Sequence, residues 1–149
     1  MFVVQKDNGV IPRILTQILD SCVNGVTLSD PDLEDSPIVY ANKAFADMCG
    51  YEPSEIMGRN CRFLQGSDRE QPGLDRLRAA IKKGEPVEVT LRNYRKNGEL
   101  FHNRLVVKPL LDERGNVVYF LGVLYDITQQ VAAQEEIKIL TEKLNMDSI

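Results

Sequence analysis

Gly58-Arg59-Asn60-Cys61-Arg62-Phe63-Leu64-Gln65-Gly66 is the stretch on which the reading of this 149-residue chain turns. Asn60 is a good helix N-cap, because its side chain can accept from the first free amides of a helix. Cys61 then falls at the start of a short helix, where free N–H groups and the helix dipole favour negative charge. Arg62 adds a fixed positive charge, so the spacing predicts a Cys61 biased toward thiolate. Phe63 and Leu64 are apolar and bury the short helix against a core. Gln65 offers a donor and an acceptor at its end. A free cysteine is also commonly an inert core thiol, and chemistry alone leaves both readings open.

Upstream, Ile11, Ile14, Leu15, Ile18, Leu19 and Cys22 recur at helical spacing after Pro12, and Gly25 is placed to stop that helix. Val26 to Ser29 alternates like a short strand, and Ile38-Val39-Tyr40 reads as a second. Asp30-Pro31 and Ser36-Pro37 bracket the loop between them. Asn42 caps a helix carrying Ala44, Phe45 and Met48, which Gly50 ends, with Cys49 as a small buried filler. Pro53 to Met57 makes another short helical turn.

Downstream, Ser67 to Gln71 is a polar loop. Leu74, Leu77 and Ile81 then line one face of a helix that Gly84 ends, and Arg78 lies beside that face. Val87 to Arg95, Leu100 to Leu111 and Val117 to Ile127 read as three strands. The turns between them lie at Lys96-Asn97-Gly98-Glu99 and at Asp112 to Asn116. Five strands with short intervening helices predict an α+β domain with helices on one face of an antiparallel sheet. Thr128 to Leu144 looks helical. Ala133, Ile137, Leu140 and Leu144 step by 4, 3 and 4, which suits either a short heptad seam or an amphipathic helix folded onto the sheet.

Asn93 and Asn103 lie on the two arms of the first hairpin, and pairing about Asn97-Gly98 brings them nearly opposite, subject to register. Phe120, Gly122 and Leu124 share a face of the last strand. Two amides within apolar strands need partners if that face is buried. Gly122 removes a side chain where something flat can approach. The functional reading is a pocket between sheet and helices whose amides read a ring with alternating donors and acceptors. The plain alternative is two solvated asparagines.

The Gly58–Gly66 stretch resembles the flavin-binding signature of LOV domains, the blue-light-sensing branch of the PAS fold. The resemblance continues through Asn93 to Gly98, Phe101 to Asn103, Tyr119 to Gly122 and Asp126-Ile127-Thr128. It covers residues 25–128, a LOV/PAS core between an N-terminal helical extension, 1–24, and a C-terminal amphipathic helix, 129–149. It implies a PAS-like five-stranded antiparallel sheet with short helices on one face and helices at both ends. By position in the matching motifs, Cys61 is the photoactive thiol, forming a reversible cysteinyl-flavin adduct with FMN. Asn93 and Asn103 hydrogen-bond the ring, and Gln65 touches the ring or ribityl chain. Arg62 and Arg78 bind the phosphate, as suits guanidinium geometry. Leu105, Val107 and Phe120 pack on the ring, with Leu64 on the other side, and Asn60 and Gly122 complete the site. Leu124 departs from the family, which usually carries a glutamine there. That substitution leaves flavin binding in place and removes the usual relay. His102 stands where a tryptophan is common, and alternation turns it away from Asn103.

Net charge is −4 with no basic block, which argues against a broad nucleic-acid footprint. Hydrophobic content of 43% is ordinary for a globular domain, and no apolar run is long enough for a bilayer span. Cys22, Cys49 and Cys61 are odd in number and far apart, and one histidine, His102, leaves little for zinc. A cytoplasmic, reducing setting is the natural expectation, with no signal peptide. The leading expectation is a non-enzymatic blue-light receptor and homodimer that signals through its terminal helices. No second domain, kinase motif or helix-turn-helix pattern reads from these residues, so the output partner is either missing or acts in trans, or the chain is a fragment of a longer one. The alternatives are a flavin redox sensor on the same fold and a PAS interaction module with no cofactor.

Overall fold

The computed structural model describes residues 13–147. Helix α1 (Arg13–Asp20) leads into strands β1 (Gly25–Ser29) and β2 (Ile38–Ala41). Helices α2 (Lys43–Cys49) and α3 (Pro53–Ile56), a 3-10 turn (Cys61–Gln65) and α4 (Leu74–Lys83) follow. The chain closes with β3 (Val87–Tyr94), β4 (Leu100–Leu111), β5 (Val117–Asp126) and α5 (Thr128–Asp147). The five strands form one antiparallel sheet in the order β2-β1-β5-β4-β3.

Local chemistry explains most boundaries. Asn42 caps α2 by accepting from the Phe45 N–H at 3.0 Å, and its Oδ1 also takes the Val26 N–H at 2.8 Å. One buried side chain therefore starts α2 and fastens it to β1. Gly50 and Gly84 end α2 and α4 in the left-handed conformation, where a side chain would be strained. Glu52 and Glu55 form a reciprocal capping box around Pro53. α1 ends at Asp20 rather than running on to Gly25, which instead opens β1. Gly25 sits there because a Cβ would come within 3.3 Å of Leu124 Cβ. Ile11, Pro12 and the Ile14 side chain lie outside what is described.

Two apolar clusters fill the space between the sheet and the helices. One joins Ile38, Phe45, Cys49, Ile56, Leu64 and Leu124, and the other joins Leu74, Leu77, Val89, Leu91, Val107 and Phe120. Cys49 is the buried filler its sequence context suggests. On the opposite face Leu19 of α1 packs near Leu28, Tyr40 and Tyr119.

The Ser67–Gln71 loop is less free than its polarity suggests. Gln71 is buried and exchanges two hydrogen bonds with Arg92, accepting its N–H at 2.6 Å and donating to its carbonyl at 2.8 Å. Asp68 accepts from Arg92 Nε at 2.7 Å and from the Tyr94 hydroxyl at 2.7 Å. These bonds clamp the loop to the sheet edge.

None of the residues of α5 is buried, so the possibility that it folds onto the sheet is overturned. Its apolar positions face outward, with Ile137 63% and Leu144 69% exposed. The helix is held at its root. Thr128 Oγ1 accepts the His102 N–H at 3.0 Å, and the Ile127 N–H donates to the His102 carbonyl at 2.9 Å. Arg95 donates to Asp126 at 2.9 Å.

Candidate functional site

A cavity of about 360 Å³ lies between the sheet and the 3-10 turn and α4. It falls within the size range of small-molecule sites. The 3-10 turn and its cap supply Asn60, Cys61, Arg62, Leu64 and Gln65, and α4 supplies Arg78. From the sheet come Asn93 on β3, Asn103, Leu105 and Val107 on β4, and Phe120, Gly122 and Leu124 on β5. Every residue singled out from the sequence therefore borders one space. Thr27, Ser29, Phe45, Leu91 and Lys82 border it too and were not singled out. Period-two alternation along β1 was the signal that placed Thr27 and Ser29 on one face, but by polarity that face would turn outward.

The Cys61 thiol does not behave as its helix position suggests. Asn60 does cap the turn, accepting the Arg62 N–H at 3.0 Å, but the turn is five residues of 3-10 helix with little dipole to offer. Arg62 points away and pairs with Asp35. Burial pushes the Cys61 thiol above its ordinary range, and hydrogen bonds with Ser29 and Thr27 offset only part of that. Cys61 is thus held as a protonated thiol, with Ser29 Oγ 3.9 Å from its sulfur.

The two amides meet on a diagonal. β3 and β4 pair Asn93 with Phe101 and Leu91 with Asn103, so the asparagines are two residues out of register rather than opposite. They still share a face, and Asn103 Nδ2 donates to Asn93 Oδ1 at 2.9 Å. Asn103 is 1% exposed, and its Oδ1 has no hydrogen-bond partner among the described residues. A buried acceptor left so costs about 1–3 kcal/mol and marks where a donor belongs. His102 pairs with Arg92 on the other face of the sheet, as expected.

Gly122 has a more local cause than room for a flat ligand. A Cβ there would lie 2.6 Å from Thr27 Oγ1, so the neighbouring strand's hydroxyl occupies the side chain's place. Leu124 is 3% exposed and lies opposite Leu105.

The mouth of the cavity is cationic. Arg62, Arg78 and Lys82 surround it, and Asp35 on the neighbouring loop pairs with Arg62. Asn60 Nδ2 fixes that loop by donating to the Asp35 carbonyl at 2.7 Å. Asp35 and Ser36 both adopt positive φ, 65° and 45°, an uncommon conformation for residues with a side chain. The arrangement suits an elongated ligand with a planar end bearing an N–H donor, apolar faces and an anionic tail. A flavin nucleotide has those parts, and the residues present fit it.

Residues 23–129 match the PAS domain family. A blue-light-activated histidine kinase of Erythrobacter litoralis is 44% identical over 132 residues, 88% of this chain and 37% of that protein. The LOV domain of a blue-light activated histidine kinase from Erythrobacter litoralis superposes with a TM-score of 0.67 at 42% identity, covering 72% of this chain and 98% of that one. A light-oxygen-voltage domain described with a flavin analogue gives 0.73 at 38% identity, covering 87% and 96%. The chain spans 25 to 37% of the length of the blue-light-activated histidine kinases it matches.

Proposed function

The chain belongs to the PAS domain family and, within it, to the light-oxygen-voltage domains, and on that premise we propose that it is a blue-light receptor whose ligand is FMN and whose reactive group is the Cys61 thiol. Its family position carries blue-light sensing with a flavin, the work of a sensor rather than an enzyme. The observation that carries the reading to a ligand is the Asn103 carbonyl oxygen, buried and without a donor among the described residues, in a cavity that the thiol also faces.

When bound, a flavin supplies absorption of blue light and an electrophilic ring carbon. Asn103 Oδ1 accepts from the ring's imide N–H, and Asn93 holds Asn103 in place for it. Leu105, Val107, Phe120 and Leu64, which line the same cavity, would pack on the ring and exclude water. Gln65 serves the ring edge or the ribityl chain. Arg62 and Arg78 take the phosphate as charge-assisted partners, with Lys82 a third cation within reach. With a flavin bound, Cys61 would be the residue whose sulfur could bond the ring reversibly. Because burial keeps the thiol protonated, it brings the proton for that step as well.

Output runs through the terminal helices. Two copies pack through the exposed Ile137, Leu140 and Leu144 stripe of α5, and a downstream protein reads the change in trans. No helix among the described residues is long and apolar enough to cross a membrane.

The test is optical. The purified protein absorbs near about 450 nm in the dark and bleaches reversibly under blue light. Cys61→Ala keeps the colour and loses the bleaching. A Cys61→Ala variant that bleaches and recovers like wild type refutes the assignment. A protein purified without flavin that takes up none on titration refutes the receptor reading.

A further inference from the structure

β1 brings two hydroxyls into a cavity otherwise walled mostly by apolar side chains. Thr27 and Ser29 face inward while Leu28 between them packs on the outer face. Thr27 is 2% exposed, and a hydroxyl placed there needs a hydrogen-bonding purpose to offset its desolvation. Its oxygen lies 2.6 Å from where a side chain on Gly122 would begin, and that same point is 3.9 Å from Leu124 Cδ1. Ser29 Oγ is 3.9 Å from Cys61 Sγ. The thiol, the two hydroxyls and Leu124 thus share one corner, in which Leu124 can neither donate nor accept.

We propose that Thr27, supported by Ser29, carries the proton that the Cys61 thiol releases and regains, and so sets how long the sulfur–ring bond lasts. The inference rests on Cys61 being the photoactive thiol. On illumination the S–H bond breaks, sulfur bonds a ring carbon and the proton ends on the neighbouring ring nitrogen. In the dark the carbon–sulfur bond breaks and the proton leaves nitrogen for sulfur. No external oxidant or reductant enters, and atoms and electrons balance within the pair. A hydroxyl is suited to this because it donates and accepts at once. Thr27 accepts from the ring N–H while donating to sulfur, so the proton passes through its oxygen. Ser29 holds the sulfur in line.

The experiment times dark recovery after a blue-light pulse, in H2O and in D2O, for wild type, Thr27→Val, Thr27→Ala and Thr27→Ser. The two hydroxyl-free variants stay yellow and bleach, recover about tenfold more slowly, as the loss of one hydrogen bond in the rate-limiting step predicts, and show a smaller H2O/D2O rate ratio. Thr27→Ser restores recovery to within about threefold of wild type and restores the isotope ratio. Wild-type recovery and isotope ratio in Thr27→Val overturn the proposal. So does a Thr27→Ser variant as slow as Thr27→Val, which assigns the effect to shape. A wild-type protein that holds flavin and never bleaches removes the photoactive role of Cys61 itself, and this proposal falls with it.

Discussion

Replacing Asn103 by leucine separates what its amide does for the fold from what it does for the ligand. In the free protein the substitution removes the donor that Asn93 Oδ1 receives at 2.9 Å, which costs about 1–3 kcal/mol for a buried acceptor left alone. It also removes Asn103 Oδ1, itself buried without a partner among the described residues, which returns a similar about 1–3 kcal/mol. The two terms nearly cancel, so the stability of the flavin-free protein changes by less than about 1 kcal/mol. With FMN bound the balance is one-sided. The ring N–H loses its acceptor, for a cost of about 2 kcal/mol, or a ~30-fold rise in Kd. Denaturant unfolding of the flavin-free protein and fluorescence titration with FMN measure the two quantities separately. A variant destabilised by more than about 2 kcal/mol that binds FMN with wild-type affinity refutes the reasoning.

Three other outcomes are expected. Replacing Arg62 and Arg78 together weakens FMN far more than riboflavin, which lacks the phosphate, because each charge-assisted contact is worth about 1.5–3 kcal/mol. Equal losses for the two ligands, measured by titration, remove the arginines from the phosphate. Hydrogen bonds from Arg92 and Tyr94 hold the Asp68 carboxyl at about 2, below the ordinary 3.8. A depressed carboxylate adds stability above its unfolded pKa and loses it as pH falls through the folded one. Urea midpoints of wild type and Asp68→Asn should therefore differ at neutral pH and converge between pH 4 and about pH 2. A difference that persists unchanged at the lowest pH points to a packing effect. Finally, deletion of residues 1–22 and 129–149 should convert a dimer into a flavin-binding monomer. Sedimentation of the full chain as a monomer at micromolar concentration counts against the dimer.

The sheet and its helices were legible because turn chemistry and alternation agree along most of the chain. Asn42, Gly50, Gly84 and Gly98 each mark a boundary that the structure keeps. The hairpin register was misjudged by two residues, and the asparagines nevertheless stayed on one face because the side-chain period is two. An error of one would have sent Asn103 outward. The state of Cys61 was misjudged for a different reason. Adjacent sequence put a positive charge beside it, but Arg62 turns toward Asp35, and burial by distant segments decides the thiol. Thr27, Ser29 and Gln71 were missed for the same reason. Ser29 meets Cys61, and Gln71 meets Arg92, only after β1 and β3 have taken their places in the sheet. On β1 the alternation would turn the polar Thr27 and Ser29 outward, but both faces of that strand are covered in the fold.

The attachment of α5 has a mechanical consequence. Twenty residues rise about 30 Å along the axis, and Asp126 and Thr128 fasten the first turn to the sheet. A tilt of ~10° at that root sweeps the far end through ~5 Å, about half the width of a helix. Asp126, Ile127 and Thr128 are therefore a fulcrum, and the helix is its long arm. A sub-ångström shift of β4 or β5 beneath the fulcrum leaves the cavity walls nearly unchanged. At the tip it is multiplied by the ratio of the two arms.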